Sequence, residues 1–389
     1  MRGWTRPAIL FWLMILNIAC AGCARRPDAG RVPDGYPTSY ADTIESGEEE
    51  GALVIWSATD AGQVRELLAD FRALYPRIAV DYRDMSARDL YDHYRAETAA
   101  GRPTADLLWT SAMDLQIKLV NDGYAQSYAS PEKAALPDWA NWKDQAWGIT
   151  AEPIVMVYNR RLFPAGPPLT SHLDFLRLLE TRNPALDGRV ATYDPGASAV
   201  GYLYLSQDDL VSRHLWSTVQ DLGANHARLF TTTEAIIEDV SAGRSVIGYN
   251  VVGSYAIDEM RRNPDLVVVR PRDYTLLMSR IAMISARAPH PNAARLFLDY
   301  LLSARGQRHL VAHSMPSVRS DVAMPEMLRP GDVPMRAIRV GPALLVVQDQ
   351  LTRRGFMNHW SRSFAAGASG GNAGNVGSVG NAEPARPAR

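Results

Sequence analysis

Between Leu53 and Ile284, short apolar runs alternate with segments whose apolar residues recur at helical spacing, and this alternation restricts the fold more than any other feature. Leu53-Val54-Ile55-Trp56 suits a strand buried on both faces and ends in Ser57-Ala58-Thr59-Asp60. Val64, Leu67, Leu68, Phe71 and Leu74 follow at helical spacing, with Asp60 and Gln63 placed as a capping box. Further strands are expected at 78–82, 106–109, 154–158, 190–193, 246–249, 266–269 and 281–284, with helices, one over 90–100, between most of them. Strand–helix alternation predicts mainly parallel α/β sheets. The body exceeds the ~250–300 residues at which one core usually stops growing, so two such units are expected.

Of the 389 residues 47% are hydrophobic, ample for packed cores, and the net charge of −1 gives no basic surface for a nucleic acid. Both cysteines, Cys20 and Cys23, precede the body, which therefore has neither disulfide nor thiolate metal site. Arg2 and Arg6 lead into the apolar run Ala8 to Ala19 and then Cys20-Ala21-Gly22-Cys23, the layout of a secretory signal peptide over 1–23. The run is far short of the ~20 residues of a membrane-spanning helix. Ala21-Gly22-Cys23 resembles the end of a bacterial lipobox, with Cys20 where leucine is usual. Acylation of Cys23, plain cleavage and a retained anchor are the three outcomes, and each places the body outside the cytoplasm. Residues 24–50, with Pro27, Pro33, Pro37 and the acidic run Glu48 to Glu50, read as a flexible tether. Residues 364–389, rich in Gly, Ser, Ala and Asn, read as a disordered tail.

Three strand ends finish in small hydroxyl residues beside a helix start: Ser57 and Thr59, Thr110 and Ser111, and Ser198 in the stretch Tyr193 to Ser198. Ligands of open α/β sheets bind beyond the carboxyl ends of strands, and a helix N-terminus there suits an anion. Gly196 and Gly201 would let backbone approach a phosphate or carboxylate. The competing reading is that these hydroxyls only cap helices. An enzyme is not expected. No Gly-x-Ser-x-Gly elbow follows a strand, and Gly253-Ser254 lacks the second glycine. His309 and His313 are four apart without the acid a metal motif needs, and Trp139, Trp142 and Trp147 read as packing. No catalytic residue, cofactor or metal site is assigned.

Several ordered segments over about residues 50 to 360 then carry a resemblance. They include Ala52 to Asp60, Phe71 to Pro76, Glu97 to Pro103, Ala105 to Ser111, Val157-Tyr158-Asn159, Asp194-Pro195, Ala286 to Gln307 and Met315 to Arg319. The chain resembles the solute-binding proteins of ABC transporters, in the branch named for ferric-iron uptake, with the type 2 periplasmic binding fold. The resemblance implies two α/β lobes, one from 51–150 plus 275–363 and the other from 151–274. Two crossovers near 148–153 and 270–280 would let the lobes close on a solute. It also implies a periplasmic monomer that hands its solute to an inner-membrane permease, or its closed form to a membrane histidine kinase. Iron-binding members use a Tyr-Tyr-Asn stretch, where this chain has Gly248-Tyr249-Asn250. Members that bind organophosphates carry hydroxyl-rich loops like these. The expected ligand is thus a small anionic solute such as a sugar phosphate or phosphoglycerate, with ferric iron as the alternative. Asp194 and Asn250 would serve its hydroxyls, Tyr249 and Tyr255 would do the same or pack, and Glu152 would accept a hydroxyl or lie exposed.

Overall fold

The structure is a computed structural model that describes Met1 and residues 32–163, 168–329 and 331–370. Cys20, Cys23, the first part of the expected tether and residues 371–389 lie outside the described residues. Among the described residues no helix is long and apolar enough to cross a membrane.

Strands β1 (Ala52–Ser57), β2 (Ala79–Asp84), β3 (Leu107–Thr110), β4 (Asn141–Trp142) and β5 (Ala146–Gly148) start one sheet. The chain then leaves it for β6 (Glu152–Asn159), β7 (Val190–Tyr193), β8 (Arg228–Phe230), β9 (Ile247–Val252), β10 (Leu266–Val269) and β11 (Thr275–Met278) of a second sheet. It returns to the first as β12 (Ile281–Ile284) and adds β13 (Met335–Ala337) to the edge of the second. The orders are β2-β1-β3-β12-β5-β4 and β13-β11-β6-β9-β7-β8, with β10 also on β6. Pairing is parallel where a helix intervenes, as in β1 with β2 and β3, and β7 with β8 and β9. It turns antiparallel where strands cross between sheets, as in β12 against β3 and β11 against β6. This is the two-lobed α/β arrangement, with crossovers after β5 and after β11.

The fully buried runs Leu107 to Thr110, Val190 to Tyr193 and Ile281 to Ile284 explain why these strands read as unbroken apolar segments. Each sheet has its own core, Leu53, Ile55, Trp109 and Phe297 in one and Phe175, Val190 and Ile247 in the other.

Two termini differ from expectation. The tether reading covers residues up to 50, yet Tyr40–Glu50 is a helix. Tyr40, Ala41, Ile44, Gly47 and Glu48 form its buried face. A Cβ at Gly47 would lie 2.6 Å from Leu296 Cδ1, so any larger residue would have to displace that side chain of the helix Pro291–Leu302. The acidic run is not solvated either. Glu50 accepts from the Asn292 and Ala293 backbone amides at 3.1 and 2.8 Å, capping that helix from outside, and Glu48 pairs with Arg77. At the other end, Gln350–Gly370 is one helix, so residues 364–370 of the expected disordered tail are helical. It packs on Leu215–Ala224 beside the second sheet, although residues up to 363 were expected in the first lobe. Phe356, Trp360 and Phe364 supply the apolar side that holds it there.

Candidate ligand-binding site

A cavity of about 370 Å³ opens between the two sheets, within the ordinary range for small-ligand pockets. Its walls are built from helix beginnings. Ala87–Ala99, Ala199–Val211 and Thr233–Ser241 all start at it with side-chain caps, from Ser86, Ser198 and Thr232 to the amides of Asp89, Gly201 and Ala235. Gly253–Arg262 starts there without one, at Val252. Each cap satisfies one amide of its first turn and leaves the others, with their partial positive charge, available to an anion. Arg88 stands in the first turn of Ala87–Ala99, where a cation opposes the helix dipole, and it has no hydrogen-bond or ion-pair partner among the described residues. The Ser111 hydroxyl likewise faces the cavity without a protein partner among them.

Arg280 reaches the cavity from the short link between β11 and β12, 1% exposed. Its Nε and Nη2 donate to the Glu152 carboxylate at 2.8 and 3.2 Å, and its Nη1 donates to Thr59 Oγ1 at 2.6 Å. Thr150 donates to Glu152 at 2.8 Å and Ser254 donates to it as well. Burial pushes the Glu152 carboxyl up, but the Arg280 guanidinium and these donors outweigh it and hold it below the usual carboxylate range. Burial pulls Arg280 down and the Glu152 charge more than restores it, so the pair stays ionised. Tyr255 lays its ring 5.3 Å from the Arg280 guanidinium and donates to Asp60 Oδ2 at 3.0 Å across the cleft.

The sequence-predicted residues separate into groups. Ser111 and Ser198 line the cavity, and Thr59 touches its floor through Arg280. Ser57 and Thr110 are turned inward, accepting from the amides of Thr59 and Ala112 at 3.0 and 3.2 Å. Asp194 closes its own turn by accepting from the Gly196 amide at 2.8 Å. Glu152 is neither exposed nor turned to the cavity, because both its oxygens serve the buried pair. Tyr249 and Asn250 point away from the cleft and donate to buried Asp208 at 3.3 and 2.7 Å. Gly201 serves packing, since its Cβ would fall 2.4 Å from Tyr193 Cβ. Asp60 does not complete the expected capping box with its side chain, and its carboxylate takes Tyr255 instead. His309 and His313 pair separately with Asp70 and Glu66.

Sequence reasoning missed Arg280, Arg88 and the Thr231-Thr232 loop. The one available signal for Arg280 is a single charge between two apolar runs, in Leu276-Leu277-Met278-Ser279-Arg280-Ile281.

Residues 66–329 match the family model described as bacterial extracellular solute-binding protein. The substrate-binding protein of an ABC transporter from Agrobacterium tumefaciens is 37% identical, with a TM-score of 0.75 over 80% of this chain and 94% of that one. The chain belongs to this family. It is an extracellular solute-binding protein of the ABC-transporter type, which implies a periplasmic setting, a small solute and a permease partner. The fold is shared with more distant structures. The periplasmic binding protein AfuA of Actinobacillus pleuropneumoniae, solved with fructose-6-phosphate, is 16% identical with a TM-score of 0.68 over 81% of this chain and 98% of that one. Iron-bound HitA of Pseudomonas aeruginosa is 17% identical with a TM-score of 0.64 over 80% and 99%. No curated protein matches significantly.

Proposed function

We propose that this solute-binding protein captures a small phosphorylated organic anion, such as a sugar phosphate or phosphoglycerate. The observation that carries the reading is the convergence of several helix beginnings on one cavity that also holds the unpaired Arg88 and the Ser111 hydroxyl. Hydrogen bonds from such donors to a charged group contribute about 1.5–3 kcal/mol each, enough for micromolar capture from three or four of them. An iron site gains less support, because the Tyr249 hydroxyl is held by Asp208, that of Tyr193 is hydrogen-bonded to Thr233, and Tyr255, the one of these tyrosines on the cavity wall, donates to Asp60. AfuA, with its bound sugar phosphate, shows that the fold accommodates this ligand class. A thermal-shift screen of sugar phosphates, phosphoglycerates, dicarboxylates, neutral sugars and chelated iron tests the reading. Ligand at a hundred times its dissociation constant adds about 2.7 kcal/mol of stability. The expected result is an upward shift with phosphate esters; a shift with dicarboxylates or neutral sugars alone retires the phosphate.

The protein is further proposed to be tethered to a membrane by acylation of Cys23, since two or more acyl chains supply stable anchoring that no described helix can. Cys23→Ser is expected to release it into the soluble fraction, and intact-mass analysis of the wild type to show a lipid adduct. An unmodified mature start downstream of Cys23 contradicts this.

A further inference from the structure

The two crossovers after β5 and β11 are not the only places where the chain passes between the lobes. After β13 has paired with β11, Val340 donates its amide to the Trp139 carbonyl beside the first sheet, at 2.8 Å. The short helix Ala343–Gln348 then packs on Met113–Asn121, whose start lies at the first-sheet side of the cavity. Its last residue, Gln348, donates from its side-chain amide to the carboxylate of Asp114. One residue earlier, the Val347 carbonyl accepts from the Tyr202 hydroxyl of Ala199–Val211, a helix of the second lobe. Arg353 lays its guanidinium 4.3 Å from the Tyr202 ring centre.

The chain then joins the second lobe firmly. A Cβ at Gly367 would fall 1.8 Å from the Gln220 carbonyl oxygen, and one at Gly223 2.0 Å from that of Phe364. The helices Gln350–Gly370 and Leu215–Ala224 therefore touch backbone to backbone. His359 stacks on Trp216 with ring centres 3.7 Å apart. Segment 338–349 is thus bound to the first lobe at Asp114 and continuous with a helix immobilised on the second.

We propose that residues 338–349 are a strap that restrains opening of the cleft, with Gln348–Asp114 as its pin on the first lobe and Tyr202–Val347 as its pin on the second. Opening separates Met113–Asn121 from Ala199–Val211, two helices in contact across the cleft, so one pin must break or the strap must swing. The strap touches no residue of the cavity wall through either pin, so it acts on the equilibrium between open and closed forms and not on ligand chemistry.

Asp114 adds a pH dependence to its pin. Its carboxyl is 1% exposed, and one of its oxygens has no hydrogen-bond partner. The groups facing it are Gln348, the Leu115 backbone amide, the charge of Arg353 and the Tyr202 hydroxyl. Burial, only partly offset by these, pushes its carboxyl up to about 6 from the ordinary value near 3.8. A carboxyl raised in the strapped form favours that form when protonated. The contribution is complete below the ordinary value and is lost as pH rises through about 6.

Small-angle scattering of the ligand-free full chain tests the strap at pH 5 and pH 8. Tyr202→Phe removes only a hydroxyl and Gln348→Ala only the first-lobe pin, and each is expected to enlarge the radius of gyration at both pH values with little change in melting temperature. Loss of the Tyr202 bond to a neutral carbonyl converts to a roughly twofold to tenfold shift in the open-to-closed ratio, and loss of the Gln348 bond to the ionised Asp114 carboxylate at pH 8 to a tenfold to hundredfold one. The wild type is expected to expand from pH 5 to pH 8, and Asp114→Asn to stay compact at both. The same radius for wild type, Tyr202→Phe and Gln348→Ala at both pH values overturns the proposal.

Discussion

Glu152→Gln is expected to lower the stability of the protein by about 3–5 kcal/mol, because it leaves the Arg280 guanidinium buried without its counter-charge. In a chain of 389 residues that corresponds to a fall in melting temperature of roughly 4–6 °C. The pair is 0% and 1% exposed, and it ties together groups from both lobes: Thr59 beside the first sheet, Ser254 beside the second, and Thr150 between. Removing the whole pair differs from breaking it. Glu152→Leu with Arg280→Met removes both charges from a site of similar volume, and most of the stability should return. Ligand affinity should not return with it, since the cavity then lacks the guanidinium at its floor. Calorimetric unfolding of the single and double variants separates the two effects; an unchanged melting temperature for Glu152→Gln contradicts the account. The sign with pH follows from the depressed Glu152 carboxyl. The pair's contribution is present above the ordinary carboxylate range and disappears as acidification protonates Glu152.

The architecture was legible because the central strands are buried on both faces. A run such as Val190 to Tyr193 or Ile281 to Ile284 announces itself without any alternation, and both are strands with those bounds. What stayed illegible was direction. A strand buried on both faces places successive side chains on opposite sides, and an apolar pattern of one kind does not say which side meets the cleft. Ser57 is the last residue of β1 and Thr59 lies beyond its end, where the alternation no longer applies, and they meet different partners, one an amide and the other Arg280. Short strands such as Asn141–Trp142 and Arg228–Phe230 offer too few residues for any periodic signal. The helix Tyr40–Glu50 carried its signal in Tyr40, Ile44 and Gly47, a one-sided apolar stripe among acids that composition alone reads as a tether. The acids themselves misled, since Glu48 and Glu50 find partners only when residues 77 and 292–293 are brought beside them by the fold.

Asp208→Ala is expected to cost about 3 kcal/mol or more, and it decides what Tyr249 and Asn250 are for. Asp208 is 0% exposed and takes three donors: the Tyr249 and Tyr274 hydroxyls at 3.3 and 2.8 Å and the Asn250 amide at 2.7 Å. Removing the acceptor strands three buried donors, each at about 1–3 kcal/mol where water does not reach. Asn250 adds to the loss. It sits inside β9 at φ 61°, in the left-handed region, opposite the irregular register between Val155 and Val157. A non-glycine residue holds that conformation when its surroundings fix it, and here its side-chain amide is fixed by Asp208. The strand end it shapes leads directly into Val252 and Tyr255 of the cavity wall, so Asp208→Ala should also weaken binding by disordering that wall. Tyr249→Phe separates structure from recognition. It removes one long hydrogen bond from a side chain that does not line the cavity, so it should lower stability by about 1 kcal/mol and leave affinity for the solute intact. Loss of solute binding in Tyr249→Phe with an undisturbed melting temperature would place the Tyr249 hydroxyl on the ligand and return the ferric-iron reading to the fore.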